Sequence, residues 1–242
     1  MPASKPSPGS DGLNWPTLTG GTLIKRYKRF LADVRLHDGR VVTAHCPNSG
    51  SMRGCNSPGK PVFLSFHDNP KRKLKYTWEL IEMPDSLVGI NTMVPNRLVA
   101  KAIKAGRIPE LSGYDAIQPE IRVGSHSRID LLLTAPSQAA CYVEIKNCTL
   151  VEDKIAKFPD AVTTRGRKHL QELEQLVFRG YRGVIFYLIQ RMDAHAFTPA
   201  KHIDPAYAEQ LSISTRKGVQ VMVYDVLIDL KGIRLRRRLP LL

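Results

Sequence analysis

A chain of 242 residues, 43% apolar and 24% charged, has the make-up of a globular protein able to bury one large core or two modest ones. No apolar run is long enough to cross a bilayer, so helical membrane spans are not expected. Lysine and arginine number 36 against 22 acidic residues, and a formal charge of +14 favours polyanionic partners, nucleic acid first and an anionic membrane surface second.

Met1 to Thr19 hold Pro2, Pro6, Pro8 and Pro16 among Ser and Gly. They lack the apolar stretch of a signal peptide, which predicts a flexible tail over residues 1–19. From Gly20 to about Pro84 short strands and turns follow one another. Phe30, Ala32, Val34 and Leu36 alternate, Asp38-Gly39 makes a hairpin turn into Arg40 to Ala44, and Pro58-Gly59 turns into Val62 to Phe66. Leu74, Tyr76, Trp78 and Leu80 share one face of a further strand, which reads as core rather than as a base-stacking surface. Strands without a helix over residues 20–86 predict a small β-barrel of the oligonucleotide-binding (OB) type. The four cysteines, Cys46, Cys55, Cys141 and Cys148, form no CxxC pair and read as free thiols of a reducing cytoplasm, with a zinc site from Cys46, Cys55 and His45 as the alternative.

The texture changes after Val88-Gly89-Ile90. Asn96 reads as a helix N-cap, Leu98, Val99, Ala102 and Ile103 as an apolar stripe, and Gly106 as the stop. Strands are expected over Ile117 to Val123, Arg128 to Leu133 and Cys141 to Cys148. A helix from about Thr163 to Gly180 follows, then a buried strand from Val184 to Ile189. Asp204-Pro205 starts another helix that Gly218 ends, before a strand over Val219 to Leu227. Near the end, Arg234, Arg236, Arg237 and Arg238 around Ile233 and Leu235 suggest an edge strand protected by charge.

Two of these strands carry charges where burial is expected. Asp130 interrupts the apolar run Ile129 to Leu133, and Glu144 and Lys146 sit at the end of Cys141 to Ile145. Buried charges need partners, and side chains two apart on a strand share a face. If the strands pair in matching register, Asp130 joins Glu144 and Lys146. Two carboxylates can hold a divalent cation against a phosphodiester, with the Ile145 carbonyl as a third ligand, while the lysine orients the attacking water. Glu120, one strand earlier with Arg122 on its face, is a candidate third acid.

This Asp…Glu-x-Lys arrangement resembles that of the PD-(D/E)xK nucleases. Longer stretches resemble the sugar fermentation stimulation protein A family. They are His45 to Met52, Asn69-Pro70-Lys71-Arg72-Lys73 with Tyr76 to Glu79, Val88 to Thr92 with Pro95-Asn96, Ser127 to Asp130, Tyr142 to Asn147, Phe158 to Thr163, and Arg165-Gly166 with Lys168 to Leu170. The resemblance runs from about Leu23 to Pro240. It implies an OB-like barrel followed by a PD-(D/E)xK nuclease-like αβββαβ domain over residues 87–242, and a bacterial or archaeal cytoplasmic origin. It also implies DNA binding with little sequence preference, and a regulatory role in sugar metabolism. Asp130, Glu144 and Lys146 would be catalytic, with Asp130, Glu144 and Glu120 on Mg²⁺ or Mn²⁺. The alternative is a regulatory DNA-binding protein whose nuclease fold is inactive, and single- or double-stranded DNA remains an open choice.

Backbone contacts with DNA are expected from two basic runs of the barrel: Lys25, Arg26, Lys28 and Arg29, and Lys71, Arg72, Lys73 and Lys75. Arg165, Arg167 and Lys168 at a helix start suit phosphate as well. His169 on that helix reads as a packing or surface residue. The Ser49-Gly50-Ser51 loop could offer amides to a phosphate or simply turn the chain, and Lys154-Ile155-Ala156-Lys157 reads as a basic loop.

Overall fold

The computed structural model describes residues 11–124 and 127–242; of the tail expected over residues 1–19, the first ten lie outside the described residues. From Asp11 on, the chain is not a tail. Gly12–Asn14 forms β1, Arg107 pairs with Asp11 at 3.0 Å, and the Lys101 ammonium donates to the Gly12 carbonyl.

The barrel follows as β2 (Leu18–Tyr27), β3 (Leu31–Leu36), β4 (Val41–His45), β5 (Pro61–Phe66) and β6 (Tyr76–Met83), with β7 (Ser86–Gly89) paired on β6. A parallel pairing of β4 with β6 closes a ring of five strands. Closure removes free edges, and the interior fills with Leu23, Val34, Leu64 and Trp78. The row Leu74 to Leu80 does not share one face. A bulge beside Leu64 inserts Glu79, so Trp78 points into the barrel while Leu80 packs with the core of the second domain.

The second domain begins with α1 (Val94–Lys104), whose cap position is Met93 rather than Asn96. Asn96 lies inside the first turn and spends its amide elsewhere. Then come β8 (Ala116–Val123), β9 (Ser127–Ala135), β10 (Gln138–Cys148), β11 (Leu150–Glu152), β12 (Ile155–Phe158), α2 (Thr164–Phe178), β13 (Arg182–Ile189), β14 (Ala196–Pro199), α3 (Pro205–Arg216), β15 (Gln220–Ile228) and β16 (Gly232–Arg238). The main sheet has the order β1-β16-β15-β13-β10-β9-β8, with the central strands β10, β13 and β15 parallel. Buried on both faces, β13 reads as a continuous apolar run, as parallel central strands do. One core packs α1 and the barrel residue Leu80 on one face; α2 and α3 cover the other.

The small sheet β11-β12-β14 has no counterpart among the expected elements, and it absorbs the basic loop around Lys154. Asp153 and Lys154 form its hairpin turn with positive φ, and Lys157 pairs with Glu152 at 2.6 Å. Strand β16 is not an exposed edge either, because β1 pairs with Gly232 to Arg234. Arg236 and Arg237 instead bind the fully buried Asp225.

One carboxylate organises both covering helices. Asp204, buried at the start of α3, accepts from the Tyr207 amide at 3.0 Å and from the Thr163 amide at 2.8 Å. Thr163 in turn caps α2 by accepting from the Gly166 amide at 3.0 Å. Losing a cap and a charge-assisted bond together means that Asp204→Ala should lower unfolding free energy by about 2–4 kcal/mol. A loss of unfolding free energy below about 0.5 kcal/mol in urea titration would show that neither helix relies on this carboxylate.

Candidate active site

Strands β9 and β10 pair in register through Leu131 and Val143, which brings Asp130 beside the Glu144 end of β10. There a side chain takes over from the ladder. The Asp130 carboxylate accepts from the Ile145 amide at 2.7 Å and from the Asn96 side-chain amide at 2.8 Å. Glu144, only 2% exposed, accepts from the Lys146 ammonium at 2.6 Å and from the His169 imidazole, both on Oε1. Its Oε2 is buried with no hydrogen-bond partner. Asp130, Glu144 and Lys146 therefore line one small cavity of about 220 Å³, together with Thr92, Pro95, Asn96, Asn147, Arg165 and His169.

His169 belongs to this cluster, which single-sequence reading did not reveal. It is 5% exposed on α2, and Arg165 Nε donates to its Nε2 at 3.4 Å. That places the ring proton on Nδ1, toward Glu144. A signal did exist: His169 stands in the first two turns of a helix that must cross the motif strand, one turn after Arg165.

The two carboxyls respond in opposite directions to this setting. Burial raises the Asp130 carboxyl above the usual range, and the neighbouring negative charge of Glu144 adds to the rise. Burial also pushes Glu144 up, but the Lys146 charge and the His169 hydrogen bond outweigh it and hold Glu144 below the usual range.

A divalent cation suits this donor set. The described residues contain no group of three or more His, Cys, Asp or Glu placed to hold an ion. A hard cation that keeps several of its waters needs only one or two carboxylates. The orphaned Oε2 of Glu144 and the strained charge pair with Asp130 are what such an ion would relieve. Glu120 does not join them. It stands opposite Asp130 in an unbroken β8–β9 register, but its backbone has φ +53°, and its exposed side chain pairs with Arg128 at 3.3 Å.

The cavity continues through Thr92 and Asn147 into a larger groove of about 610 Å³. Two loops form its walls: Asn48 to Ser51 from the barrel, and Phe158 to Thr163 before α2. Asp160 joins them by accepting from the Met52 amide at 2.8 Å, while the Ser51 hydroxyl donates to its carbonyl. Arg26 is consumed in this joint, donating to the carbonyls of Arg29, Asn48, Gly50 and Ser51. The amides of Gly50 and Met52 are likewise engaged, so the loop turns the chain and holds its neighbour.

The other basic residues divide between exposed and engaged. Lys28 and Arg29 project from the β2–β3 turn, and Lys71 and Lys73 from the β5–β6 loop, all exposed or nearly so. Lys25 lies 3.7 Å from Asp33, Lys75 3.4 Å from Asp68, and Arg72 donates to the Thr77 hydroxyl. On α2, Arg165 is exposed, Lys168 lies 3.8 Å from Glu172, and Arg167 sits between them. All four cysteines are free and buried, and the zinc arrangement is absent among the described residues.

Comparison with known proteins places this architecture. The family description "Sugar fermentation stimulation protein RE domain" matches residues 93–232, and "SfsA N-terminal OB domain" matches residues 24–90. The chain belongs to the sugar fermentation stimulation protein family. The sugar fermentation stimulation protein homolog of Geobacter sulfurreducens is 56% identical over 93% of this chain and 96% of its own length. The Rhodospirillum rubrum homolog is 51% identical over 94% and 98%. A solved structure, Pyrococcus furiosus SfsA in complex with Ca²⁺, superposes with a TM-score of 0.87 at 27% identity, covering 95% of this chain and 98% of the other. The fold is thus an OB barrel followed by an α/β nuclease-like domain.

The opposite shifts fix the sign of a stability test in chelator. A raised Asp130 contributes stability that is complete below about pH 3.9 and lost as pH rises through its native value. A lowered Glu144 contributes stability present above about pH 4.3 and lost as pH falls. Between about pH 4 and 7, Asp130→Asn should therefore gain on wild type as pH rises, whereas the deficit of Glu144→Gln stays level. Urea midpoints that move in parallel for wild type and Asp130→Asn would contradict the buried like-charge pair.

Proposed function

We propose that this protein binds DNA with little sequence preference and cleaves its phosphodiester backbone at the Asp130–Glu144–Lys146 pocket with Mg²⁺ or Mn²⁺. The observation that carries this reading is the carboxylate pair, Glu144 buried with one oxygen unsatisfied and Asp130 half-buried beside it, in a cavity that joins the larger groove. Asp130 and Glu144 would hold the cation. When bound, it would polarise the scissile phosphate and offset the charge that develops on it.

The remaining steps belong to the chain. Lys146, 12% exposed and already at 2.6 Å from Glu144, is in place to orient a water and steady the charge on phosphorus. His169 fixes the Glu144 rotamer, and Asn96 fixes that of Asp130. Arg165 in the cavity lining and Arg29 along the groove are available to a phosphate chain. The net charge of +14 draws polyanions in without base recognition. A role in regulating sugar metabolism and a place in the cytoplasm belong to this same reading of the family.

A regulatory protein without turnover is the second reading. It is favoured by one observation: Lys146 and His169 both bind Glu144 Oε1, so this carboxylate already has a partner for its charge without a cation.

Incubating the protein with single-stranded, duplex and branched DNA, with Mg²⁺, Mn²⁺ or chelator, separates the two. Cation-dependent cutting that Lys146→Ala abolishes, with affinity unchanged within about twofold, is expected. Binding that persists in every form of DNA with no cutting under any cation would leave the regulatory reading. Charge reversal at Lys71 and Lys73 should make the salt slope of binding shallower by about 0.9 for each phosphate no longer neutralised, and an unchanged slope would remove that loop from the interface.

A further inference from the structure

A second cavity, of about 290 Å³, opens between the barrel and the start of α1 and shares no lining residue with the carboxylate pocket. One side of it is cationic. His45 comes from β4, His67 and Arg72 from the loop after β5, and Arg97 from α1. Arg72 donates to the Thr77 hydroxyl at 2.8 Å, which fixes its fork. Neither Arg97 nor His45 has a side-chain hydrogen bond or ion pair among the described residues.

Trp15, Pro16, Pro47 and Met93 add apolar lining. Trp15 is held by two bonds to the β15–β16 turn, its indole N–H to the Asp229 carbonyl at 2.8 Å and its amide to the Lys231 carbonyl at 3.0 Å. Met93 is 66% exposed.

The floor is built rather than incidental. Glu79 is 5% exposed and has both oxygens engaged, by the Ser65 hydroxyl at 2.7 Å and by the Asn91 amide at 2.9 Å. Ser65 also bonds His67 Nε2 at 2.9 Å, so the imidazole is fixed in orientation. These bonds occupy both Glu79 oxygens without cancelling its charge, so Arg72 and Arg97 share the cavity with one carboxylate and leave a surplus of one positive charge.

We propose that this cavity binds one nucleoside monophosphate unit, with its phosphate on Arg97, Arg72 and the imidazoles and its base along Trp15 and Met93. Two guanidinium groups supply the charge for an oxyanion, while burial and the Arg72 charge hold both imidazoles below their usual range, as uncharged hydrogen-bonding groups. The indole, fixed by its two bonds, offers a planar face to a base. A volume near the lower end of small-ligand sites holds one such unit and no duplex. The unit can come from the end of a DNA strand or from a free nucleotide. Either source leaves the cleavage reading untouched, since no residue is shared with the carboxylate pocket.

Isothermal titration of the full chain in chelator tests this, using a deoxynucleoside 5′-monophosphate, the bare nucleoside and inorganic phosphate as probes. The monophosphate should bind at least about tenfold more tightly than either fragment, because the guanidinium groups and the indole both contribute. Arg97→Gln and His45→Gln should each weaken it by at least about tenfold, while Asp130→Asn leaves it unchanged. A 5′-phosphorylated trinucleotide that competes assigns the site to strand ends; one that fails to compete assigns it to free nucleotide. Absence of saturable monophosphate binding, or binding indifferent to both substitutions, would overturn the proposal.

Discussion

Asp130 does the work of a strand partner. Where the β9–β10 ladder stops, its carboxylate takes the Ile145 amide and, with its other oxygen, the Asn96 amide of α1. This single group ties the central sheet to the helix that lies between the two domains. It also brings a second negative charge beside buried Glu144, an arrangement that burial alone would forbid. Lys146 and His169 compensate one carboxylate, and nothing comparable compensates the other. The chain therefore carries a standing electrostatic imbalance at one point of an otherwise well-paired interior. The same interior shows the contrast: buried Asp225 meets two arginines, and buried Glu174 meets Lys217, Gln210 and Ser214.

The groove that leads to this point has fixed walls. Leu80, Phe63 and Leu87 of the barrel side pack into the core that α1 and β10 also occupy. Strand β1 joins the far edge of the second domain's sheet before the chain enters the barrel. Asp160 then locks the two wall-forming loops together, and Arg26 holds the barrel loop by its carbonyls. Interlaced in this way, the domains present one continuous surface in which positive side chains surround a recessed acidic pair. A polyanion drawn by the field meets a place where a cation is wanted.

Much of this was legible in the sequence because strand periodicity is short and strict. The register of Asp130 with Glu144 and Lys146 followed from two apolar runs interrupted at single positions. Helix ends at Asp204 and Gly218 followed from capping chemistry. What escaped depended on neighbours distant in sequence. Asn96 resembles an N-cap, but its amide is claimed by a carboxylate 34 residues away. Arg26 belongs to a charge run, yet it is the residue that four loop carbonyls require. Glu120 stands opposite Asp130 in register, yet its backbone turns to φ +53° and its side chain pairs with Arg128, which strand alternation does not foretell; at Glu79 a bulge shifts Leu80 without changing the composition. His169 needed the crossing of α2 over β10, a tertiary fact. The apparent tail failed as well: Trp15 and Gly12 are anchored by strands more than 200 residues later.

The central claim is that Asp130 and Glu144 form a cation site. Anomalous diffraction from crystals soaked in Mn²⁺ tests it most directly. The account predicts one ion within about 2.0–2.6 Å of oxygens from both carboxylates, with Glu144 contributing Oε2. Mn²⁺ bound only elsewhere, with neither carboxylate as a ligand, would contradict it.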